Sequence, residues 1–195
     1  MTRIIAGFAG SQRLAVPSTG TRPTSDRVRE AIFSALEARG VIHGSAVLDL
    51  YAGSGALGLE AASRGAAEVT LVEKNPAAVK VAKSNAAIIL KAAGGAGALA
   101  PGEPRPRIRV APQSVLGFLR QAAASFDLVF VDPPYDMPEA ELAETLDALA
   151  ERVTPDALIV VERTSRSPEP RLPAHLTLDR RKDYGETTLW WITTT

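Results

Sequence analysis

The sequence predicts an α/β fold built around a parallel, doubly wound sheet. The chain has 195 residues, of which 46% are hydrophobic and 23% are charged, and these are the proportions of an ordinary globular domain. From about residue 46 onward, short runs of Val, Ile and Leu alternate with helical patterns. The runs are continuously apolar, as in strands that helices cover on both faces. Such alternation is typical of a parallel sheet.

Composition also excludes several classes of protein. No apolar run approaches the roughly 18 residues of a membrane helix, and the N-terminus is a poor signal peptide. The sequence contains no cysteine, which excludes disulfides, thiol nucleophiles and cysteine metal sites and fits a cytoplasmic location. Its only histidines are His43 and His175, so we expect no metal centre.

The strand and helix patterns can be placed in order along the chain. Runs of β-branched and aliphatic residues predict strands over Ala46–Leu50, Val69–Val72, Ile108–Ala111, Leu128–Val131 and Leu158–Val161. Apolar residues recur at helical spacing over Pro76–Leu90 and Pro138–Ala150. Residues Ala92–Pro106 are almost all Ala, Gly and Pro, and they predict a surface loop.

Different patterns occupy the two ends of the chain. His175–Lys182 and Glu186–Thr193 flank a turn and predict a hairpin that gives the sheet an antiparallel end. Arg3–Ala6 and Arg13–Val16 predict a small N-terminal hairpin, and a helix follows with Thr24 as its N-cap. We therefore expect an N-terminal extension over residues 1–40 and a main domain over residues 41–195.

A glycine-rich turn follows the first strand of the main domain. Gly53, Gly55 and Gly58 have the spacing G-x-G-x-x-G. The first two glycines allow a sharp turn and a close approach of the backbone to a ligand, and the third lets the next helix pack near the strand. The spacing alone suits a dinucleotide site, or simply a tight strand–helix turn, equally well.

Two carboxylates favour a cationic cofactor at this turn. Asp49 ends the first strand, where it can face a cationic group or the amides of the turn. Glu73 ends the second strand and can accept both ribose hydroxyls of a nucleoside. Negative charge at both positions would repel a pyrophosphate and attract a sulfonium. The pair therefore favours S-adenosylmethionine over a nicotinamide dinucleotide.

The most specific segment is Asp132-Pro133-Pro134-Tyr135, directly after the fourth strand, at the edge where open α/β sheets bind ligands. Two consecutive prolines make a stiff turn that can present the Asp132 carboxylate and the Pro133 carbonyl as paired acceptors. Accepting both N–H bonds of a nucleobase amine would favour a pyramidal nitrogen and aim its lone pair at an electrophilic methyl group. Tyr135 can stack on a base that has flipped out of its helix.

Together these motifs resemble a known family. Asp49–Gly58 with Asp132–Tyr135 resembles the Asn/Asp-Pro-Pro-Tyr/Phe class of S-adenosylmethionine-dependent amino-methyltransferases. Further segments are similar to bacterial methyltransferases that modify guanine N2 in 16S ribosomal RNA: Arg3–Gly7, Arg22–Glu30, Phe33 and Lys182–Thr187. The resemblance covers nearly the whole chain. It implies a Rossmann-like, seven-stranded sheet with an N-terminal extension, S-adenosylmethionine as cofactor, and 16S rRNA of a partly assembled small ribosomal subunit as substrate.

The motifs and the resemblance assign the residues of the site, with no metal. The catalytic residues are Asp132, Pro133, Pro134 and Tyr135. The cofactor-binding residues are Asp49, Tyr51, Gly53, Ser54, Gly55, Gly58, Glu73, Lys74, Ser114 and Val115. Members of the family often have an acidic residue after the third strand that contacts the adenine amine. Gln113-Ser114-Val115 stands there in this chain, so Ser114 or a backbone group would make that contact.

The distribution of charge points to an anionic partner. Residues 1–29 carry five Arg and one Asp, whereas residues 30–162 carry eleven basic and seventeen acidic groups. For an RNA substrate, basic termini would contact phosphates. The predicted RNA-binding residues are Arg3, Arg13, Arg22, Thr24, Arg27 and Arg163. Arg27 and Arg29 could instead pair with Glu30 or Asp26.

Other functions stay open at this point. An adenine-N6 DNA methyltransferase would use the same proline turn, although the chain leaves little room for a DNA-reading domain. A non-catalytic, RNA-binding ribosome assembly factor could retain the fold, but the intact proline and glycine turns argue against it. A nicotinamide dehydrogenase is disfavoured because no general acid is evident near the turn. We expect a monomer with no membrane association.

Overall fold

A computed structural model describes residues 2–17 and 25–194 of the chain. The strands in these ranges are β1 (Thr2–Arg3), β2 (Arg13–Leu14), β3 (Ala46–Leu50), β4 (Glu68–Val72), β5 (Arg107–Ala111), β6 (Phe126–Val131), β7 (Val153–Thr164), β8 (Leu176–Tyr184) and β9 (Thr187–Thr194). The helices are α1 (Asp26–Ala38), α2 (Ala56–Ser63), α3 (Pro76–Ala93), α4 (Val115–Gln121) and α5 (Glu139–Ala150).

Seven strands form one sheet in the order β5-β4-β3-β6-β7-β9-β8. The pairs from β5 to β7 are parallel, and β9 is antiparallel to both β7 and β8. This confirms the predicted fold class, including the antiparallel end. The strand order reverses at β3, where Leu50 pairs with Val72 on one side and Val131 on the other. The carboxyl ends of these strands therefore lie level with one another.

Helices cover both faces of the sheet, as the continuously apolar strands predict. Consecutive strand residues contribute to different clusters: Val47 belongs to the core beneath α1, α2 and α3, and Leu48 to the core beneath α4 and α5. The adjacent residues Trp190 and Trp191 divide in the same way, and each is buried on its own face. When helices cover both faces of a sheet, the side chains on either face of a strand are buried, so the strand is apolar along nearly its whole length.

The N-terminal extension packs into the first of these cores. Its hairpin pairs Thr2 with Leu14, and α1 buries Phe33 against the sheet residue Phe130, with 5.6 Å between ring centroids. The N-cap of α1 is Ser25, whose hydroxyl accepts the Val28 N–H at 3.2 Å. The prediction of Thr24 as N-cap was therefore wrong by one residue, and Thr24 itself lies outside the described residues. The division near residue 40 stays a prediction.

Buried polar side chains of α2 anchor the extension to the main domain. The Glu60 carboxylate is fully buried and accepts the backbone N–H groups of Ile5 and Ala6 at 2.7 and 3.0 Å. The Ser63 hydroxyl accepts the Ala9 N–H at 3.0 Å and donates to the Ala6 carbonyl at 2.6 Å. These bonds satisfy the backbone of a segment that has little regular structure of its own.

Several element boundaries differ from the expectations, and the N-terminal hairpin is shorter, with strands Thr2–Arg3 and Arg13–Leu14. Helix α3 continues to Ala93, so the loop predicted at Ala92–Pro106 begins two residues later. Strand β7 begins at Val153 because a register shift opposite β6 accommodates Pro155 and Asp156, which break the apolar pattern. Helix α4 was not predicted. Among the described residues, no helix has the length and apolar character needed to span a bilayer.

Candidate active site

A crevice of about 530 Å³ opens at the carboxyl ends of β3, β4 and β6, where the strand order reverses. Its size and position are those of a small-molecule site in an open α/β sheet. Of the predicted cofactor and catalytic residues, those that line it are Asp49, Tyr51, Gly53, Ser54, Glu73, Lys74, Ser114, Val115, Asp132, Pro133, Pro134 and Tyr135. The fold therefore brings these twelve residues together at one crevice, and their roles stay predictions.

Gly55 and Gly58 are not among the lining residues, and their role as cofactor contacts stays a prediction. Gly55 has φ +78° and serves as the N-cap of α2. A Cβ on it would lie 2.7 Å from Leu71 Cδ1, and a Cβ on Gly58 would lie 2.4 Å from Leu71 Cδ2. Both glycines thus let α2 start close to β4. Gly53, with φ +55°, supplies the turn beside the crevice.

Asp49 is buried at the end of β3 and compensates for the missing side-chain cap of α2. Its Oδ2 accepts the N–H of Gly58, in the first turn of α2, at 2.9 Å. Burial raises the pKa of Asp49 to about 7, against the lowering effect of the Gly58 hydrogen bond, and the charges of Asp132 and Glu73 raise it further. This carboxyl group therefore titrates near neutral pH.

Glu73 lies directly after β4 and ties the glycine turn to that strand. Its Oε2 accepts the Gly53 N–H at 3.0 Å, and its Oε1 accepts the Asn75 N–H at 2.7 Å. Each carboxylate oxygen can accept more than one hydrogen bond, so the side chain can still receive ribose hydroxyls. The neighbouring Lys74 is exposed at the rim of the crevice.

The proline turn, Asp132–Tyr135, lies next to the start of the glycine turn that follows β3. The Asp132 N–H lies 3.5 Å from the Leu50 carbonyl oxygen, one residue before Tyr51. Asp132 is half-buried and Pro133 is buried, whereas Tyr135 is 51% exposed. The turn thus presents a carboxylate to the crevice beside an aromatic ring that is open to solvent.

Tyr51 and Ser114 form part of the wall on the side of α4 and α5. Tyr51 adopts φ +61°, and its hydroxyl lies 3.1 Å from the Thr145 hydroxyl. Burial raises the pKa of Tyr51, so it stays protonated at neutral pH. Ser114 is the N-cap of α4 and accepts the Gly117 N–H at 3.2 Å. Its hydroxyl proton can still be donated to a ligand.

The predicted RNA-binding residues have different environments. Arg3, Arg13 and Arg27 are exposed on the N-terminal extension, while Arg22 and Thr24 lie outside the described residues. Arg163 is only 4% exposed, and its guanidinium donates to protein oxygens. Its assignment as a phosphate contact was therefore wrong, because the site near the carboxyl end of β7 faces the proline loop and not solvent.

Sequence reasoning missed crevice residues that come from the extension. Val16 and Pro17 line the crevice, and so does Arg29, whose guanidinium donates to Asp26 Oδ1 at 2.8 Å and the Arg3 carbonyl at 2.5 Å. This supports the alternative that Arg29 pairs with Asp26. Burial lowers the pKa of Arg29. No periodicity marks these residues, since their position depends on how the extension folds back.

The charges around the crevice suit a cationic ligand. Five carboxylates line it, namely Asp49, Glu73, Asp132, Asp136 and Glu141, against the two cations Arg29 and Lys74. A sulfonium with an amino group is attracted by this excess, whereas a pyrophosphate would be repelled. The donor set therefore fits S-adenosylmethionine. Within the described ranges, no group of three or more His, Asp or Glu side chains could hold a metal ion.

The sheet order, the acidic glycine turn and the adjoining proline turn define an S-adenosylmethionine-dependent methyltransferase of Rossmann-like fold. More particularly, the chain belongs to the family described as Conserved hypothetical protein 95, whose profile matches residues 2–193.

Named relatives are similar over almost the whole chain. Ribosomal RNA small subunit methyltransferase D of Escherichia coli (strain K12) is 39% identical over 187 residues, covering 94% of this chain and 85% of that protein. The protein of the same name from Haemophilus influenzae is 38% identical over 186 residues, covering 94% and 89%. The solved structure of yhhF from Escherichia coli, 38% identical, superposes with a TM-score of 0.78 over 99% of this chain and 97% of that one.

Proposed function

We propose that this methyltransferase transfers the methyl group of S-adenosylmethionine to the exocyclic N2 of a guanine in 16S ribosomal RNA, within a partly assembled small ribosomal subunit. The observation that carries the proposal is the Asp-Pro-Pro-Tyr turn beside an acidic nucleoside crevice. Relatives named ribosomal RNA small subunit methyltransferase D support the class of RNA. The choice of N2 depends on the family resemblance of the proline turn.

The residues of the crevice would hold the cofactor by complementary charge and hydrogen bonding. When bound, S-adenosylmethionine supplies an electrophilic methyl group on a positively charged sulfur. Glu73 accepts the ribose hydroxyls, and the Ser114 hydroxyl oxygen or a nearby backbone carbonyl accepts from the adenine amine. Asp49 contributes negative charge behind the glycine turn, where the cationic part of the ligand is stabilised.

The proline turn would orient the nucleophile. The Asp132 carboxylate and the Pro133 carbonyl accept the two N–H bonds of the guanine amine, which withdraws the nitrogen lone pair from the ring and directs it toward the crevice. Tyr135 stacks on the plane of the flipped base. This orientation lowers the barrier because it places the reacting atoms in line before the reaction starts. The amine would release one N–H proton as the methyl group takes its place.

The remaining parts of the proposal concern the surroundings of the site. Residues 1–40 would act as the RNA-contacting extension, through the exposed Arg3, Arg13 and Arg27, and residues 41–195 as the methyltransferase domain. We propose that the active form is a monomer. Its substrate would place it in the cytoplasm.

The substrate can be tested directly with radiolabelled S-adenosylmethionine. Duplex DNA, naked 16S rRNA and partly assembled small subunits are offered in parallel, and the labelled nucleoside is identified by digestion. We expect N2-methylguanosine from assembled particles. Labelled N6-methyladenine in DNA would establish the rival DNA methyltransferase, and RNA binding without any label would establish a non-catalytic assembly factor.

The catalytic role of the proline turn makes a quantitative prediction for Asp132→Ala. Losing one oriented acceptor should lower turnover on the order of 10²–10³-fold, by analogy with other preorganised polar groups. Cofactor affinity should change little, because the glycine turn is intact. Single-turnover methylation and equilibrium binding of S-adenosylmethionine measure the two effects separately. Undiminished turnover in a folded variant would refute the assignment.

A further inference from the structure

We infer that Arg163 is a positioning residue that holds the Asp132–Tyr135 turn in its active geometry. The inference rests on the proposed function. Arg163 lies near the carboxyl end of β7, the strand that pairs with the catalytic strand β6. Its side chain is 3% exposed, and it faces the loop that leads from β6 to α5.

This guanidinium donates hydrogen bonds to the loop between β6 and α5 and to the first residue of α5. Nη2 donates to the Met137 carbonyl at 2.9 Å and to Glu139 Oε1 at 2.5 Å. Nη1 lies 3.5 Å from the carbonyl oxygen of Pro134, inside the catalytic turn. One planar group thus connects three acceptors within six consecutive residues, in the forked geometry that arginine provides and lysine does not.

The loop needs an external support of this kind. Pro133, Pro134 and Pro138 have no N–H group, so the loop can form few hydrogen bonds of its own. Within the loop, the Met137 N–H donates to the Pro134 carbonyl at 3.0 Å. Helix α5 begins behind it without a side-chain cap, because its N-cap is Pro138. Arg163 therefore holds three points together: Pro134 in the proline turn, Met137 in the middle of the loop, and Glu139 at the start of α5.

The other end of β7 offers a matched control. Arg152 precedes the strand and also donates to backbone carbonyls, from Nε to Leu119 at 2.8 Å and from Nη1 to Glu151 at 3.3 Å. It lies at the amino edge of the sheet, whereas the crevice is at the carboxyl edge. Arg152→Gln and Arg163→Gln each remove one guanidinium from carbonyl acceptors, but only the second releases the catalytic loop.

We expect Arg163→Gln to lower kcat by about 10- to 100-fold, because small misplacements of catalytic groups are costly. Its Kd for S-adenosylmethionine and its KM for RNA should stay within about twofold of wild type, since the glycine turn and extension are untouched. Arg152→Gln should lower thermal stability but leave kcat unchanged. Arg163→Lys keeps the charge without the fork, so its kcat should remain well below that of wild type.

Hydrogen exchange supplies a readout that needs no methyl transfer. In Arg163→Gln, the amides of residues 135–137 should exchange faster than in wild type, and in Arg152→Gln they should not. Equal kcat in the two variants, or unchanged exchange at residues 135–137, would overturn the inference; if Arg163→Gln does not fold, Arg163→Lys decides by the same two measurements. If wild type itself transfers no methyl group to RNA, the proposed function fails. Hydrogen exchange would still test whether Arg163 holds the loop between β6 and α5.

Discussion

At the scale of single residues, Asp49 connects folding to the chemistry of the crevice. Its carboxylate caps a helix whose N-cap residue is a glycine, and the same carboxylate borders the crevice. Full burial makes the ionised form costly, which is why the pKa rises to about 7. The protein accepts this cost at a position where a cationic ligand would stabilise the ionised form.

The raised pKa predicts a pH-dependent stability. The folded state holds the Asp49 proton up to about pH 7, whereas the unfolded chain releases it near pH ~4, so this group lowers stability as pH rises between those values. Asp49→Asn stays neutral and can still accept the Gly58 N–H. We therefore expect the variant to gain stability over wild type between pH 5 and pH 8, by at most about 4 kcal/mol.

Urea denaturation of both proteins at pH 5, 6, 7 and 8 measures this difference. The gap should widen from pH 5 to pH 7, because the unfolded chain has released the proton that the folded wild type still holds, and it should change little between pH 7 and pH 8. A gap that is the same at every pH would show that Asp49 is ionised throughout the range.

At the scale of elements, sequence patterns predicted what depends on local composition. The apolar runs placed all five parallel strands, and the hairpin at the C-terminus was found from its turn residues. Helix α4 and the first half of β7 were missed, because α4 has only seven residues and Pro155 interrupts the strand pattern.

The candidate site was predictable for a related reason. Residues that follow parallel strands converge at one edge, so Asp49, Glu73 and Asp132 could be brought together without coordinates. The buried environment of Arg163 could not be predicted in this way. Its sequence position suggested an exposed basic residue, and only the path of the proline loop shows that it is enclosed.

Asn85 of α3 makes the clearest prediction at this scale. This fully buried side chain accepts the Ala15 N–H and donates to the Ala15 and Ser54 carbonyls, each at 2.9 Å. It thus joins the extension to the glycine turn. Asn85→Ala should lower the free energy of unfolding by about 2–4 kcal/mol, because buried backbone groups lose their partners, and it should also weaken binding of S-adenosylmethionine.

Ser63→Ala is the matched control for that variant. Ser63 also binds the extension, through Ala6 and Ala9, but its hydrogen bonds do not reach the glycine turn. Urea denaturation and calorimetric titration with S-adenosylmethionine should therefore show lower stability in both variants and weaker cofactor binding only in Asn85→Ala. Equal affinity for S-adenosylmethionine in the two variants would mean that the hydrogen bond from Asn85 to Ser54 does not help the crevice to bind the cofactor.

At the scale of the whole molecule, opposite charges are separated in space. The crevice carries an excess of carboxylates, whereas exposed arginines lie on the N-terminal extension that also contributes Val16 and Pro17 to the crevice wall. Phosphates would be attracted to the extension and repelled from the crevice. An RNA held in this way would bring an uncharged base, and not its backbone, to the proline turn.

This separation predicts how RNA affinity depends on salt. In the triple variant Arg3→Gln, Arg13→Gln and Arg27→Gln, each lost phosphate contact should reduce the slope of log Kd against log salt by about 0.7, or roughly 2 in total. Fluorescence anisotropy with a 16S rRNA fragment between 50 and 300 mM KCl, on the order of physiological ionic strength, measures the slope. The control replaces three exposed cations with Gln: Lys83 and Lys91 on α3, and Arg105 in the loop after it. This control variant removes the same net charge without touching the extension, so its slope of log Kd against log salt should match that of wild type. Equal slopes in the two triple variants would show that the extension does not contact the phosphates.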